Sequence, residues 1–559
     1  GPPQGQRPGR PASPPERPNF VWFLTDDQDQ LLGGSFPPAL GATPMPRTKR
    51  LLQDAGAHAT NWYIHTPICS PSRSELLTGR YFHNIKRVGG DSGSGMHVNY
   101  SHVYERPFAR ILQEEAGYAT GLFGKFVNVM PAAPPKGWDA WLANDGGDYI
   151  APRFQTKNVD GLPDGFVQFT NDAANYTTAV VGNYSIAWIR KVAKQGRPFL
   201  AYVAPKAAHE PFNPAPWYRD HWDASWPQHE PRPENWNCSL DSRRRHHGNI
   251  ATEPLITEQM SKVITGVFRN RWRTLMSVDD VIAATVGAVE ELGLLDSTYF
   301  FYSSDHGFQL GQFNVPMDKR HVYTWDTKIH LLARGPGIAP GSALSAPGTQ
   351  VDIAPTLLGL AGLEAPASMD GRSVAPLLLG PPGPGLPAAT RRHLLALGDP
   401  GAYRAAWRQE LFIEYYYVDY NVKCTAPARP GEARCERGDY PHHDSNCVNL
   451  ANNSDCWCQG LKPPVSGPTC YATEDLSNNF IALRRFGGGR ERLYAEFQTG
   501  DQQTASVDFD HVDFVELYDL EADPWQMRNL AQEPSSAAER GELHGRLRAW
   551  FECAGASCP

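Results

Sequence analysis

Short apolar segments alternate with stretches of helical spacing between residues 19 and 379. Three of the apolar segments are rich in aromatic or β-branched residues and end in polar residues: 19–24, 198–204 and 298–302. Two other stretches carry apolar residues at helical spacing: 274–292 and 351–360. Strands buried on both faces of a sheet have this continuous apolar character, and their alternation with helices is typical of α/β folds. The sequence therefore predicts a doubly wound α/β core.

A run rich in proline and glycine at residues 380–387 predicts a domain boundary. Proline fixes φ and lacks an amide hydrogen, so such a run can neither continue a helix nor form a central strand. The expected division is a flexible tail over 1–18, a large domain over 19–380, a linker over 381–396 and a smaller domain over 397–559. The smaller domain contains a predicted strand at 514–518 and a terminal helix before Cys553.

Charge and hydropathy exclude two classes of protein. The chain has 60 acidic and 52 basic side chains, whereas nucleic-acid-binding proteins usually carry a basic excess. No apolar run approaches the roughly 18–20 residues that a membrane span requires. The tail over 1–18 lacks the apolar core of a signal peptide, so we expect that any targeting peptide was removed before this numbering begins.

Cysteine usage indicates an oxidising compartment. Eight of the ten cysteines lie in the C-terminal quarter: Cys424, Cys435, Cys447, Cys456, Cys458, Cys470, Cys553 and Cys558. An even, dense set of eight predicts up to four disulfides, and a zinc site ranks below them because no paired Cys-x-x-Cys motif accompanies the set. Five glycosylation sequons are compatible with a secretory route: Asn99, Asn175, Asn183, Asn237 and Asn452. Cys69 and Cys238 lie apart from the cluster.

Acidic residues and histidines stand where the predicted strands end. Asp26 and Asp27 follow the first strand, His209 follows the second, and Asp305 and His306 follow the third. Ligands of open α/β sheets bind at the carboxyl ends of the strands. Carboxylate oxygens that converge there suit a hard divalent ion such as Ca²⁺ or Mg²⁺. Taken alone, the acidic run after the first strand could be a solvated turn. A second acidic residue at the end of another strand favours a metal site instead.

Cys69 begins a segment with a specific pattern. It precedes a Pro-Ser helix start signal, so we expect it at or just before a helix N-terminus, where amide donors stabilise an anionic group. Arg73 lies four residues further on and is expected on the same helical face. A lone cysteine is more often a small buried apolar residue. The C-x-P-S-R pattern followed by L-T-G-R favours a functional site instead.

These residues resemble the signature of the type I, formylglycine-dependent sulfatases of the alkaline phosphatase superfamily. The matching motifs cover most of the large domain and, more weakly, part of the smaller one: residues 69–73, 77–80, 24–29, 123–126, 304–307, 317–320, 333–338 and 517–524. Residues 25–29, residues 275–280 and the pair Cys553 and Cys558 are most similar to the branch of N-acetylglucosamine-6-sulfatases and arylsulfatases. The resemblance implies an α/β fold of alkaline-phosphatase type, in which helices flank a large mixed sheet. It also implies a smaller C-terminal α+β domain with an antiparallel sheet and disulfides.

The resemblance implies a role for each matching residue. It implies that Ca²⁺ is bound by five residues, the cysteine after its oxidation to Cα-formylglycine: Asp26, Asp27, Cys69, Asp305 and His306. Arg73 and Lys125 would stabilise the modified side chain and one sulfate oxygen. Lys319 would bind the sulfate, and His209 would protonate the leaving alcohol. Taken singly, each of these four is an ordinary surface or loop residue.

The chemistry of such a site accounts for the residue types. A hydrated formylglycine is a geminal diol, and a neighbouring cation lowers the pKa of its attacking hydroxyl. Attack on sulfur in line with the leaving oxygen gives a covalent sulfo-enzyme. Cations balance the charge of the transferring group, and a general acid helps the alkoxide to leave. The second hydroxyl of the diol then expels sulfate. An ordinary serine has only one hydroxyl and so cannot carry out this step.

Several positions depart from the family pattern or lie outside it. Many sulfatases have histidine two residues after the lysine of the Gly-Lys motif, where this chain has Val127 followed by Asn128, as the favoured branch often does. His330 stands where relatives usually have proline, so the wall of the substrate pocket, and with it the substrate specificity, is not predicted by the resemblance. His83 is a weaker candidate for contact with the formylglycine hydroxyls. The basic run at 243–247 predicts a solvated loop, with a subsite for an acidic glycan as the alternative.

The residues and the resemblance together predict a sulfuric ester hydrolase that is secreted or lysosomal and N-glycosylated. The expected substrate is a 6-sulfated amino sugar in a glycan or a small aryl sulfate, and maturation requires a formylglycine-generating enzyme. The alternatives are a phosphate or phosphonate ester hydrolase of the same superfamily and an inactive glycan-binding protein with a sulfatase fold. The intact polar site disfavours the inactive protein: Cys69, Arg73, Lys125, His209 and Lys319.

Overall fold

A computed structural model describes residues 15–32, 41–87, 96–417, 471–500 and 506–559, together with the backbone of five short strands between residues 424 and 472. Within this part of the chain, ten strands form one mixed sheet. From one edge to the other the strands are Ser342–Leu344, Ala57–Ala59, Leu331–Arg334, Thr298–Ser304, Asn19–Thr25, Phe199–Ala204, Ala119–Lys125, Ala140–Asn144, Arg153–Lys157 and Gly165–Gln168.

The centre of this sheet is parallel. Asn19–Thr25 pairs in parallel with Thr298–Ser304 on one side and with Phe199–Ala204 on the other. Ala119–Lys125 continues the parallel order beside Phe199–Ala204. The carboxyl ends of these four strands therefore lie side by side at one edge of the sheet, which is where ligands of such sheets bind.

The central strand shows why the sheet is covered on both faces. Phe20, Trp22 and Leu24 belong to one apolar cluster, and Val21 and Phe23 belong to another. Successive side chains of a strand point to opposite faces, so a continuous apolar run requires helices on each side. The first cluster includes the helices Cys69–Thr78, Phe108–Ala116 and Ile353–Leu360; the second includes Thr177–Ala193 and the C-terminal half of Glu258–Glu291.

Shorter helical segments connect these elements. The further α-helices within the described residues are Pro46–Thr48, Tyr100–Glu105, Leu240–Arg243, Gly248–Thr252, Thr324–Thr327, Ala375–Leu378, Ala388–Ala396 and Pro400–Ala405. The 3₁₀ and π segments are Lys49–Asp54, Phe82–Asn84, Ala173–Asn175, Pro216–Tyr218, Leu295–Ser297, Gln350–Asp352, Pro534–Ser536 and Gly555–Ser557. Trp62–Tyr63 and Gly348–Thr349 form a small parallel pair.

The C-terminal part of the chain forms a second, smaller sheet. Its four antiparallel strands are, in order, Glu410–Tyr415, Asn479–Arg485, Arg492–Gln498 and Phe514–Asp519. The helix Ala537–Phe551 packs against this sheet. The five short strands are Cys424–Thr425, Arg434–Cys435, Leu450–Asn453, Cys456–Gln459 and Cys470–Ala472. The first apolar cluster continues from the large sheet into the smaller one through Phe412, Ile481 and Leu493.

One disulfide of the predicted set is formed, between Cys553 and Cys558. The side chains of the other six clustered cysteines lie outside the described residues. Cys69 and Cys238 are both buried and free. The predicted strands are confirmed with small changes at their ends, and the predicted architecture of a large mixed sheet plus a smaller antiparallel sheet is confirmed.

Two predicted segments differ from the structure. The helix expected over 274–292 begins earlier, at Glu258, where the Thr257 side chain caps it by accepting a hydrogen bond from the Met260 amide. The helix Ala388–Ala396 occupies part of the proposed linker over 381–396 and packs against Ile353–Leu360. The division into two domains therefore stays a prediction. Among the described residues, no helix combines the length and apolarity that a membrane crossing needs.

Candidate active site

Two pairs of polar residues meet at the edge where the central parallel strands end. Asp26 and Asp27 follow Asn19–Thr25, and Asp305 and His306 follow Thr298–Ser304. The Asp27 amide donates a 3.2 Å hydrogen bond to Asp305 Oδ1, which joins the two strand ends directly. The Asp26 amide donates to the carbonyl of Ala207 at 2.9 Å. The parallel register thus brings the predicted metal ligands together, and all four are buried.

The Cys69 sulfur faces these groups. Cys69 is the first residue of the helix Cys69–Thr78, and every residue of that helix is buried. The sulfur lies 3.7 Å from Asp26 Oδ1 and 3.3 Å from His306 Nε2. One ligand atom from each of Asp26, Asp27, Cys69 and His306 lies within 4.8 Å of the others. Asp305 adjoins this set, with Oδ1 located 3.5 Å from His306 Nε2.

Three cationic side chains surround the carboxylates. Arg73 Nε donates to Asp305 Oδ2 at 2.8 Å, and Arg73 Nη1 donates to the Lys125 carbonyl at 3.1 Å. Lys125 Nζ pairs with Asp26 Oδ2. Lys319 Nζ lies 2.9 Å from Asp27 Oδ1. Each carboxylate thus has a cationic neighbour, as buried charges require.

The electrostatics of the site favour positive charge at its centre. Burial opposes ionisation of Asp26, yet the nearby Lys125 holds the pKa of Asp26 well below its ordinary value. Burial and the charge of Asp26 raise the pKa of Asp305. Burial also opposes a charge on His306, but Asp305 and the Cys69 sulfur outweigh it and raise the pKa of His306 to about 10. Convergent carboxylates, an imidazole and a sulfur form a donor set that fits a divalent cation.

His209 lies beside this cluster, after the strand Phe199–Ala204. Its Nδ1 lies 2.9 Å from the Glu210 carbonyl, and its own carbonyl accepts a 2.7 Å hydrogen bond from the Tyr149 hydroxyl. Burial lowers the pKa of His209 to about 3, although Asp27 and Asp26 act in the opposite direction. The imidazole is therefore neutral at physiological pH, with Nδ1 as the donor to the carbonyl.

Two residues that depart from the family pattern, Asn128 and His330, each contact a neighbouring side chain. Asn128 Oδ1 accepts a 3.0 Å hydrogen bond from the hydroxyl of Ser70, and the backbone amide of Asn128 donates to Ser70 Oγ at 2.8 Å. Asn128 therefore holds the residue next to Cys69. The ring of His330 is buried against Tyr302, with ring centres 4.5 Å apart.

The structure does not place His83 at Cys69. His83 Nδ1 lies 2.8 Å from Glu414 Oε1, and His83 Nε2 lies 3.0 Å from the Cys553 carbonyl. These contacts point the ring towards the smaller sheet and the C-terminal disulfide. The expected contact between His83 and the formylglycine hydroxyls is therefore replaced by a contact with Glu414.

Sequence reasoning missed some residues that hold the site. Arg271, within the long helix Glu258–Glu291, donates to the Asp27 carbonyl and lies 3.3 Å from Asp29 Oδ1. The Ser72 hydroxyl donates to the Asp305 carbonyl. Lys206 is buried and donates to the Gly147 carbonyl. Of these, only Ser72 lies in a recognisable motif; Arg271 and Lys206 carry no local signal.

The expectation of a solvated loop at residues 243–247 is wrong. Arg243 is buried and donates hydrogen bonds to the carbonyls of Cys238, Ile250 and Glu253. His246 and His247 are buried as well, whereas Arg244 and Arg245 are exposed. The local composition is basic, but the fold uses three of the five side chains to satisfy buried carbonyl and carboxylate groups.

Comparisons with known proteins show which family the chain resembles. A family model described as Sulfatase matches residues 18–363. The N-acetylglucosamine-6-sulfatase of Homo sapiens is 30% identical, over 98% of this chain and 87% of that protein. A protein of Drosophila melanogaster named extracellular sulfatase SULF-1 homolog is 35% identical, over 65% of this chain and 31% of that protein.

A solved structure shares the fold. It was determined in complex with its substrate, D-glucosamine-2-N,6-O-disulfate, and superposes with a TM-score of 0.62. The two chains are 20% identical, with 95% of this chain and 97% of the other covered. The likeness therefore extends over the large sheet and the smaller one.

Proposed function

Because the chain belongs to the sulfatase family, we propose that it hydrolyses a 6-sulfated N-acetylglucosamine residue or a small aryl sulfate by way of a formylglycine formed from Cys69. Sulfatases hydrolyse sulfate esters, and this chain is an enzyme of that kind. One observation carries the mechanistic proposal: the Cys69 sulfur lies at a buried helix N-terminus, 3.3 Å from His306 Nε2, among carboxylates and cations. The name of the human relative supports the sugar.

A divalent cation fits the donor set at this position. Asp26, Asp27, Asp305 and His306 would hold it together with residue 69, and we propose Ca²⁺ because most of the donors are oxygens. Such an ion lowers the pKa of a neighbouring hydroxyl and neutralises charge on an oxyanion. The four side chains are buried and already mutually oriented, so little rearrangement is needed to bind it.

The chain's own residues then divide the remaining work. When present, the formylglycine diol supplies the hydroxyl that attacks sulfur. Arg73 and Lys125, both fully buried, hold that side chain and one sulfate oxygen in place. Lys319 offers its ammonium to the sulfate, and His209 donates a proton to the leaving alcohol. A bound sulfate places negative charge beside His209 and thereby raises the imidazole pKa from its low value in the free site.

Maturation and location form a second part of the proposal. Conversion of Cys69 requires a formylglycine-generating enzyme as a transient partner. Passage through the secretory pathway, to a lysosome or to the exterior, is supported by the Cys553–Cys558 disulfide and by the name of the extracellular relative. Exposure of Asn183, one of the sequons, is compatible with glycosylation there.

Mass spectrometry of the peptide that carries Cys69 tests the nucleophile. Oxidation of the thiol to an aldehyde lowers the peptide mass by about 18 Da. Cys69→Ala should abolish sulfate release, whereas Cys238→Ala removes a second cysteine that is buried and free among the described residues and should leave turnover unchanged. Unmodified thiol in active protein from its natural source, or activity in Cys69→Ala, would overturn the assignment.

A substrate panel tests the reaction class and the sugar. Sulfate release from N-acetylglucosamine-6-sulfate should exceed release from sugars sulfated at other positions. An aryl sulfate should be hydrolysed faster than the matching aryl phosphate and phosphonate esters. A preference for the phosphorus esters would favour the phosphonate or phosphate hydrolase alternative instead.

A further inference from the structure

A second set of metal-ligating side chains lies between the helix Cys69–Thr78 and the smaller sheet. His65, His83 and Glu414 each offer one ligand atom, and these atoms lie within 4.8 Å of one another. His65 Nε2 and His83 Nδ1 are both 2.8 Å from the same oxygen, Glu414 Oε1. His65 and Glu414 are fully buried, and the His83 side chain is only 5% exposed. None of these residues belongs to the active site described above.

The remaining nitrogen of each imidazole is hydrogen-bonded to the backbone. His65 Nδ1 lies 2.7 Å from the Phe412 carbonyl, and His83 Nε2 lies 3.0 Å from the Cys553 carbonyl. A carbonyl oxygen only accepts, so each of these nitrogens carries the proton. In neutral imidazoles the lone pairs of His65 Nε2 and His83 Nδ1 therefore both face Glu414 Oε1. These acceptors can share either a proton, as an ion pair, or a metal cation, and a cation bound by all three side chains satisfies each of them.

A second carboxylate lies next to the set. Glu75 Oε1 lies 3.9 Å from His65 Nε2, and the Glu75 side chain is fully buried. The Thr66 hydroxyl donates to Glu75 Oε1 at 2.5 Å, while Glu75 Oε2 is buried without a hydrogen-bond partner among the described residues. A buried carboxylate oxygen in this situation is costly unless it binds something. A small rotation of the Glu75 carboxylate towards an ion beside His65 would supply that partner.

We propose that His65, His83, Glu414 and Glu75 form a closed structural Zn²⁺ site. Two imidazoles with carboxylates suit zinc, and four protein ligands with no open position are typical of structural sites. Zinc-bound histidines usually donate their other N–H to a carbonyl, as both histidines do here. With bonds of about 2.0–2.2 Å, the ligand atoms around a tetrahedral ion lie about 3.3–3.6 Å apart. The 3.9 Å between Glu75 Oε1 and His65 Nε2 and the 2.8 Å from each histidine to Glu414 Oε1 therefore change by less than about 1 Å when the site closes.

The outer contacts of Glu414 support the same assignment. The His83 amide donates to Glu414 Oε1 at 2.8 Å, and the Tyr416 hydroxyl donates to Glu414 Oε2 at 3.0 Å. Carboxylates that bind metals are usually oriented by such hydrogen bonds. Glu414 belongs to the small-sheet strand Glu410–Tyr415, and Glu75 lies six residues after Cys69 on its helix. The ion would thus tie the nucleophile helix to the smaller sheet.

Metal analysis of the full chain tests this site. The protein is stripped with a chelator, supplied with excess Ca²⁺ to fill the oxygen-rich active site, and titrated with Zn²⁺. We expect one Zn²⁺ bound per chain and a higher melting temperature. Co²⁺ in place of Zn²⁺ should give the visible absorption of a four-coordinate ion. Absence of both the bound equivalent and the Co²⁺ spectrum in the wild-type protein would overturn the proposal, whether or not any variant folds.

Matched variants locate the ion. Glu414→Gln and Glu75→Gln keep the size of each side chain but weaken it as a ligand, and both should lose the Zn²⁺ equivalent and the Co²⁺ spectrum. Glu516→Gln is the control, because Glu516 is a buried small-sheet carboxylate whose oxygen contacts the ring of only one histidine among the described residues, His247, at 3.2 Å. It should retain the ion. Undiminished Zn²⁺ binding in both Glu414→Gln and Glu75→Gln would show that the ion binds elsewhere and would overturn the assignment.

Discussion

Arg73 Nε donates a 2.8 Å hydrogen bond to Asp305 Oδ2, and both side chains are fully buried. This bond joins the helix that begins at Cys69 to the end of the strand Thr298–Ser304. The same guanidinium lies 3.6 Å from Asp26 Oδ2 and donates to the Lys125 carbonyl. A single planar side chain with several donors therefore fixes the helix Cys69–Thr78 relative to three strand ends.

Replacement of Arg73 should affect both stability and turnover. Arg73→Ala leaves Asp305 buried without its main partner, which we expect to cost about 3–5 kcal/mol of unfolding free energy. Arg73→Lys keeps the charge but cannot make the separate contacts of a guanidinium, so we expect it to fold and to lose most of its activity. Urea unfolding and sulfate release measure the two effects.

Arg190→Ala is the control for this comparison. Arg190 pairs with Glu291 at 2.6 Å, but the two side chains are 50% and 68% exposed. Exposed pairs contribute at most about 1 kcal/mol, so Arg190→Ala should change neither stability nor activity appreciably. Equal effects of the Arg190 and Arg73 substitutions would contradict the role given to the buried pair.

His209→Gln should discriminate between leaving groups. A general acid contributes about 10²–10⁴-fold when the departing alkoxide is basic and much less when it is already stable. We therefore expect kcat/KM to fall by about that factor for N-acetylglucosamine-6-sulfate and only slightly for a nitrophenyl sulfate. Steady-state kinetics with both substrates would measure the difference, and equal losses would argue that His209 only binds substrate.

Metal dependence should distinguish Asp27 from its neighbour Asp29. Asp27 faces the other predicted ligands, whereas Asp29 accepts from the Leu32 amide and lies 3.3 Å from Arg271. We expect Asp27→Asn to raise the Ca²⁺ concentration for half-maximal activity by about tenfold or more, since a direct ligand is weakened. Asp29→Asn should leave that concentration unchanged. Activity titrations after chelation test this; identical curves for both variants would refute the ligand assignment.

Acid should destabilise the protein in part through His330. Burial lowers the pKa of His330 to about 3, so between that pH and about 6.5 only the unfolded chain binds the proton. Stability is therefore present above pH 6.5 and is lost as the pH falls. One such group accounts for about 2 kcal/mol between pH 7 and pH 5.

The variant His330→Gln measures this contribution. It should shrink the difference in unfolding free energy between pH 7 and pH 5 by about 2 kcal/mol, because glutamine does not titrate. His511→Gln, at a side chain that is 81% exposed, should keep the wild-type difference. Denaturant unfolding at the two pH values gives both numbers, and an unchanged difference in His330→Gln would contradict the prediction.

Glycan occupancy should differ between two sequons. Asn183 is exposed on the helix Thr177–Ala193, whereas Asn237 is partly buried. Asn237 Oδ1 accepts from the Ile256 amide at 2.7 Å, and its Nδ2 donates to the Ile256 carbonyl at 3.3 Å. In protein secreted from eukaryotic cells, glycopeptide mass spectrometry should find a glycan at Asn183 and none at Asn237. A fully glycosylated Asn237 would contradict the prediction, because its side chain could not then make both hydrogen bonds to Ile256.

Much of the site was predictable because its residues directly follow or begin local elements. Asp26 and Asp27 end one apolar strand, Asp305 ends another, and parallel strands place such ends side by side. Cys69 begins its helix within a specific motif. Alternating apolar segments and motif spacing are local properties, so the sequence alone determined the sheet, the grouping of the candidate metal ligands and the place of Cys69 at a helix N-terminus.

Only the tertiary structure decided which distant side chains support that site. Arg271 reaches the Asp27 carbonyl across 244 residues, and Glu414 reaches His65 across 349. Arg243 lies in a run whose composition predicts a solvated loop, yet it is buried because three carbonyls need donors. Such contacts depend on how helices and sheets pack, and the packing is set by the whole apolar core rather than by neighbouring residues in the chain.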